Sequence, residues 1–327
     1  MKYRRLGKSG LKVSELSFGS WVTFGDQVNN AVAESCLKTA YDAGINFFDN
    51  AEGYAAGQSE EVMGSILSKF GWSRDTFLVS SKVFWGGDQP NQTGLCRKHV
   101  IEACNAALKR LRVDYLDLYY CHRPDPETPV EETVRAMDTL IQQGKVLYWG
   151  TSEWSAGEIM EAYSVARQYN LTPPAMEQPR YNMIHRDRVE GELTRLSNSI
   201  GLGMTTFSPV SAGMLTGRYN EGIPANSRLS IDRLDFLRER WERLKENGIV
   251  PVIETLESIA QKIGANLPQL AVAWCLKNEN VSSVILGASK PEQLVNNLAS
   301  LKFVDSLDDE LMDEINVALS TVKEIDV

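Results

Sequence analysis

Four side chains that together can move a proton onto an oxygen stand at or just beyond the ends of apolar runs in this chain: Asp49, Tyr54, Lys82 and His122. A tyrosine of ordinary pKa, about 10, is a poor proton donor at neutral pH. A lysine charge beside it is expected to lower that pKa, and an aspartate beside the lysine to hold the ammonium in place. A histidine at the same spot can hydrogen-bond a substrate carbonyl and orient it. The phenol then protonates the carbonyl oxygen while hydride arrives at the carbon. Singly, each residue has a plainer use. Asp49 could cap the turn that follows it, Lys82 could be a surface lysine, His122 a structural histidine, and Tyr54 is one of 11 tyrosines. Only their joint placement asks for chemistry, and that depends on the elements that carry them.

Short β-branched or aromatic runs alternate with amphipathic stretches from end to end. The strand candidates are Leu16–Gly19, Asn46–Asp49, Phe77–Lys82, Tyr115–Cys121, Val146–Thr151, Ala175–Gln178, Gly203–Ser208 and Ser283–Gly287. Helical patterns lie near Asn30–Ala43, Ser59–Lys69, Lys98–Leu111, Glu131–Gln143, Ala156–Tyr169, Asp187–Ile200 and Val252–Ile263. Such alternation implies parallel strands joined by helical crossovers. An open dinucleotide-binding sheet should carry G-x-G-x-x-G after its first strand. Here the first strand runs into Gly19-Ser20-Trp21-Val22-Thr23-Phe24-Gly25, which does not match. The expected fold is therefore α/β, a (β/α)8 barrel, as one domain over residues 1–327. Tyr3–Leu6 and Leu11–Val13 read as an N-terminal β-hairpin plugging one end, and Asp308–Thr321 as an extra C-terminal helix. Thr216–Gly248, with a charged helix over Leu234–Asn247, is longer than an ordinary connection and suggests a lid.

In such barrels the site lies at the C-terminal ends of the strands. Asp49, Lys82, His122, Ser152, Gln178 and Ser208 all fall at that rim. The net charge of −9 and pI near 5.1, with no Lys/Arg-rich run, argue against a nucleic-acid partner. No signal-peptide pattern or long apolar span is seen, so a cytoplasmic protein without membrane insertion is expected. Cys36, Cys96, Cys104, Cys121 and Cys275 read as reduced thiols, and His99, His122 and His185 show no metal-ligand spacing.

The stretches Tyr3–Ser14, Ser20–Gly25, Asn46–Glu60, Ser80–Gly87, Cys121–Met137, Tyr148–Ser155 and Leu267–Ser289 together resemble the aldo-keto reductase superfamily. They come closest to its branch of voltage-gated potassium-channel beta subunits. The resemblance implies NADPH-dependent reduction of aldehydes and ketones, with a tetrad of Asp49, Tyr54, Lys82 and His122 and Tyr54 as the acid. It implies NADP(H) lying across the barrel mouth, with NAD(H) also open. Ser152 and Gln178 would meet the carboxamide, and Phe207 would stack on the nicotinamide. Ser208, Pro209, Val210 and Ser211 would line the pyrophosphate, with Arg218 nearby, and Arg228 would reach the 2′-phosphate. Ser289, Gln293 and Asn297 would bind the adenosine end, and Trp21, Gln27, Asp49 and Gly287 complete the cofactor set. Trp21, Tyr54, Phe84, Trp85 and His122 would form the pocket for a small carbonyl substrate.

Three departures stand out. Channel beta subunits carry asparagine where His122 stands, which favours turnover here over a sensory role. Glu153 stands where the family usually has asparagine or arginine, and Gln293 where many members have an arginine for the 2′-phosphate. Two readings compete with a reductase. One is a nucleotide-binding, redox-sensing auxiliary subunit of a potassium channel, against which stand His122 and the lack of a long extension before Tyr3. The other is a barrel of different chemistry, such as a phosphate-binding isomerase. The resemblance also implies a homo-oligomer, a ring of four, although no stripe in the sequence establishes the interface.

Overall fold

The structure is a computed structural model that describes residues 1–322 apart from residues 22, 26–28 and 226. An antiparallel hairpin of β1 (Tyr3–Arg5) and β2 (Lys12–Ser14) comes first. The strands β3 (Leu16–Gly19), β4 (Phe47–Asp49), β5 (Leu78–Val83), β6 (Leu116–Cys121), β7 (Val146–Ser152), β8 (Met176–Gln178), β9 (Gly203–Thr206) and β10 (Val281–Leu286) then close a barrel in chain order. Every neighbouring pair is parallel, and β10 returns to β3. Because helices cover the outside and side chains fill the inside, β5, β6 and β10 are buried at every residue. That accounts for continuous rather than alternating apolar runs.

The crossovers are α1 (Asn30–Asp42), α2 (Gln58–Phe70), α3 (Arg97–Leu111), α4 (Val130–Gln142), α5 (Ala156–Gln168) and, after a π-helical turn at Val189–Leu193, α6 (Thr194–Ile200). Their starts carry local signals. Asn29 caps α1, and Ser155 with Glu158 forms a capping box on α5, closing backbone N–H groups that a helix start leaves open. The long connection from β9 to β10 holds α7 (Asp235–Glu246), α8 (Ile249–Lys262) and α9 (Leu267–Lys277), and α10 (Pro291–Leu298) and α11 (Asp309–Leu319) follow β10.

Periodicity marks Val252–Ile263 as the seventh crossover, but α9 is the helix that packs against β10. Leu270 to Leu276 of α9 are all buried. A helix covered on every side has no polar stripe for periodicity to find. α8 lies against α9, and the additional C-terminal helix α11 against α8.

The hairpin closes the N-terminal end of the barrel. Leu6 and Val13 are fully buried against Phe47, Leu78, Leu118, Tyr120 and Met176. Each contributes about 1.5–3 kcal/mol of apolar burial. Gly7, at φ +54°, lies so close to Gly201 that a Cβ would sit 2.2 Å from its carbonyl oxygen, so glycine is required in this turn. With that end plugged, the C-terminal rim is left for ligands. Among the described residues no helix is long and apolar enough to cross a membrane.

Candidate active site

Asp49 ends β4, Lys82 is next to last in β5, and His122 follows β6 directly. Tyr54 opens a short 3-10 turn, Tyr54–Gly57, in which Ala55 and Ala56 adopt left-handed φ of 49° and 52°. Such values are uncommon outside glycine and gather at functional sites. The structure brings all four side chains together. The buried Lys82 Nζ donates to Asp49 Oδ2 at 2.6 Å, to the Asn50 carbonyl at 2.9 Å and to the Tyr54 hydroxyl at 3.0 Å. Asp49 Oδ1 accepts from Ser80 Oγ at 2.8 Å and Gln178 Nε2 at 3.1 Å. The imidazole of His122 meets the Tyr54 ring edge-on, with centroids 5.7 Å apart. His122 Nδ1 is buried with no hydrogen-bond partner among the described residues.

Burial alone would depress the pKa of Lys82, but Asp49 and Tyr54 outweigh it and hold the ammonium above its ordinary value. For Tyr54 the sequence-based expectation is reversed. Burial raises the phenol pKa, the Lys82 charge pulls against it, and the net direction is upward. The half-buried Tyr54 therefore keeps its proton. Burial, then the charges of Lys82 and Arg123, hold His122 well below the usual histidine range. It is a neutral imidazole at neutral pH.

Above these groups opens a cleft of about 600 Å³, a normal size for a small-molecule or cofactor site. Trp21, Asp49, Tyr54, Trp85, His122, Ser152, Gln178, Phe207, Ser208, Pro209, Val210, Ser211, Arg228, Gly287 and Asn297 line it. Lys82 lies buried, bonded to Asp49 and Tyr54. Phe84 braces the wall through an edge contact with Trp85 at 4.9 Å. Arg218, Ser289 and Gln293 are not among the lining residues, and Ser289 donates through both its backbone N–H and its hydroxyl to Gln293 Oε1. Gln27 lies outside the described residues.

Other lining residues were not anticipated: Gly19, Ile285 and Leu286 at strand ends, Arg123 beside His122, Arg180 just past β8, and Phe236, Leu237 and Arg240 on α7. The strand-end rule that located Asp49 could have found the first three. Nothing in the periodicity of α7 says which turn meets the cleft.

The cleft also explains Glu153. At φ +60°, its Oε1 accepts from the Arg180 backbone N–H at 2.7 Å, and Arg188 stands 3.6 Å away. Arg188 also donates to the Trp154 carbonyl at 2.6 Å. The acid is thus tied to the loop after β8 rather than set free in the cleft.

The residues present suit an extended dinucleotide. The Arg228 guanidinium stacks 5.2 Å over the Trp21 ring and has no carboxylate partner among the described residues. Ser208 and Ser211, both at positive φ, turn the backbone along the same wall. Gln178 must present its NH₂ to Asp49, which as a carboxylate only accepts, so its amide oxygen is left as an acceptor.

The sequence description of the Aldo/keto reductase family matches residues 15–319. A rice protein (Oryza sativa subsp. japonica) named "Probable voltage-gated potassium channel subunit beta" is 49% identical over 326 residues, covering 98% of this chain and 97% of that one.

Proposed function

We propose that this chain, which belongs to the aldo/keto reductase family, reduces aldehydes or ketones to alcohols with NADP(H) as hydride carrier and Tyr54 as the acid. The observation that carries the reading is Lys82 Nζ bridging Asp49 and the Tyr54 hydroxyl at 2.6 and 3.0 Å. When bound, the nicotinamide supplies a hydride to the carbonyl carbon. Ser152 and Gln178 would hold its carboxamide, Phe207 its ring face, Ser208 to Ser211 its pyrophosphate, and Arg228 and Asn297 its adenosine half.

The chain's own part is the proton. Tyr54 arrives protonated and gives its proton to the carbonyl oxygen. The phenolate left behind is stabilised by the ammonium already 3.0 Å away, and Asp49 prevents that ammonium from turning aside. The neutral His122 orients the carbonyl by a hydrogen bond without competing as an acid. Trp85, 4.9 Å from His122 by ring centroids, walls the reacting carbonyl on one side.

The test is Tyr54→Phe. It should reduce turnover by about 10²- to 10⁴-fold, the usual contribution of a positioned proton donor, with NADPH affinity unchanged. Substantial remaining activity would sink Tyr54 as the acid. The name of the rice relative supports a second reading, a subunit of a potassium channel, to which we add nucleotide binding that reports redox state. Tight NADPH binding without turnover on any aldehyde, together with co-purification of a channel, would favour it.

A further inference from the structure

We propose that the cleft selects carbonyl substrates bearing an anionic group, a carboxylate or a phosphate, and that Arg123 binds that group. This names the substrate class of the reduction proposed above and rests on that reading.

Arg123 follows His122 in the chain and lines the same cleft. Its guanidinium stacks 5.3 Å over the Trp85 ring, and Nη1 donates to the His122 carbonyl at 2.5 Å. These contacts aim the fork rather than consume it, because a guanidinium has five N–H donors. Three other partly buried arginines have carboxylate partners: Arg74 has Asp117, Arg110 has Glu60 and Arg188 has Glu153. Arg123 has none among the described residues. A half-buried cation with no counter-charge recovers only part of its lost hydration from a carbonyl and a ring face, and an incoming anion would supply the rest.

The charge around the cleft points the same way. Although the chain carries a net −9, the acids lining the cleft among the described residues are Asp49 and Glu153. Both are engaged, one by Lys82 and the other by the Arg180 backbone and Arg188. Arg123 and Arg228, neither with a carboxylate partner among the described residues, line it too. A concave site whose acids are compensated while Arg123 and Arg228 are not concentrates anions even in an acidic protein. Arg228, against Trp21, serves the cofactor's phosphates in the reading above. Arg123, against Trp85 and His122, stands with the carbonyl-orienting residues, and its charge reaches both Tyr54 and His122. A short substrate whose carbonyl sits at those two groups would place its anion across the face of Trp85.

The experiment compares matched pairs: succinic semialdehyde with its methyl ester, and glyceraldehyde phosphate with glyceraldehyde. The wild-type chain should prefer the charged member of at least one pair by roughly 10- to 100-fold in kcat/KM, as expected for hydrogen bonds to a charged group. The pair showing the preference tells a carboxylate from a phosphate. Arg123→Met, which keeps an apolar stem on Trp85, should collapse that ratio through KM, and Arg123→Lys should restore part of it. Equal treatment of both pairs by the wild type, or a ratio unmoved by Arg123→Met, overturns the proposal and leaves the reduction reading intact. Turnover of no member counts against the reduction reading instead. The subsite is then judged by tryptophan-fluorescence titration with succinate and its dimethyl ester, where equal affinity overturns it.

Discussion

Replacing Lys82 by methionine removes a fully buried charge while keeping an unbranched side chain of similar length. Asp49 would keep Ser80 and Gln178 on Oδ1 but lose the ammonium on Oδ2, and the Asn50 carbonyl would lose its lysine donor. The result is a carboxylate 3% exposed with no counter-charge. Breaking a buried pair in this way costs about 3–5 kcal/mol, because the orphaned charge keeps its desolvation penalty and loses its partner. Adding Asp49→Asn removes that charge, so the double variant should recover about 1–3 kcal/mol relative to Lys82→Met alone. Urea unfolding followed by tryptophan fluorescence measures both, since the chain has 7 tryptophans, including the buried Trp149, Trp154, Trp241 and Trp274. The reasoning is refuted if the single variant loses less than about 1 kcal/mol, or if the double variant is no more stable than the single one. Either result would mean that the pair is effectively solvated.

Glu177 is fully buried on β8, where Thr151 donates to one oxygen and the Trp154 N–H to the other at 3.1 Å; burial, aided by Glu153, raises its pKa to about 8. A carboxyl raised above its ordinary 4.5 favours folding below that value and loses this contribution as pH climbs through about 8, roughly 5 kcal/mol across the window. Glu177→Gln should therefore gain stability over the wild type at about pH 9 but not at about pH 5, and thermal melts showing the same gap at both would contradict this. Arg228→Met should weaken NADPH binding by roughly 10- to 100-fold and NADH binding much less, as expected if one charge-assisted contact goes to the 2′-phosphate. Fluorescence titrations showing equal losses for both nucleotides would remove Arg228 from that role.

The barrel was legible because its strands are short, apolar and regularly spaced. The ends of β3 and β4 fall on Gly19 and Asp49, as the sequence places them. Those ends face the cleft, so the sequence pattern alone points to Asp49, Lys82, His122, Ser152 and Gln178 as its candidates. What stayed hidden depends on packing between distant segments. α9 escaped notice because α8 covers its outer face. Phe236 and Arg240 could not be assigned to the cleft because a helix pattern gives a face but not its target. The sign of the Tyr54 shift was misjudged for the same reason. A sequence shows the charge of Lys82 but not the burial that outweighs it. The mutual bond of Ser289 and Gln293 likewise depends on where α10 begins, and their spacing alone does not show it.

The polar groups of the cleft floor form one connected chain rather than two sites side by side. Ser152 Oγ donates to the Gln178 carbonyl at 2.9 Å, Gln178 Nε2 donates to Asp49 at 3.1 Å, Asp49 holds Lys82, and Lys82 holds Tyr54. Asp49 and Gln178 come from β4 and β8, which are not neighbours in the barrel, so their bond spans its mouth. A backbone ladder could not make that link, and only side chains projecting inward at one level can. Each bond polarises the next in so dry a setting. In the reduction proposed above, a ligand that settles on Ser152 and Gln178 would act on Asp49, and through it on the ammonium that faces Tyr54. Under that proposal, nucleotide binding and readiness of the acid are two ends of the same network, which would be reason for the fold to accept the desolvation cost of burying Lys82 at all.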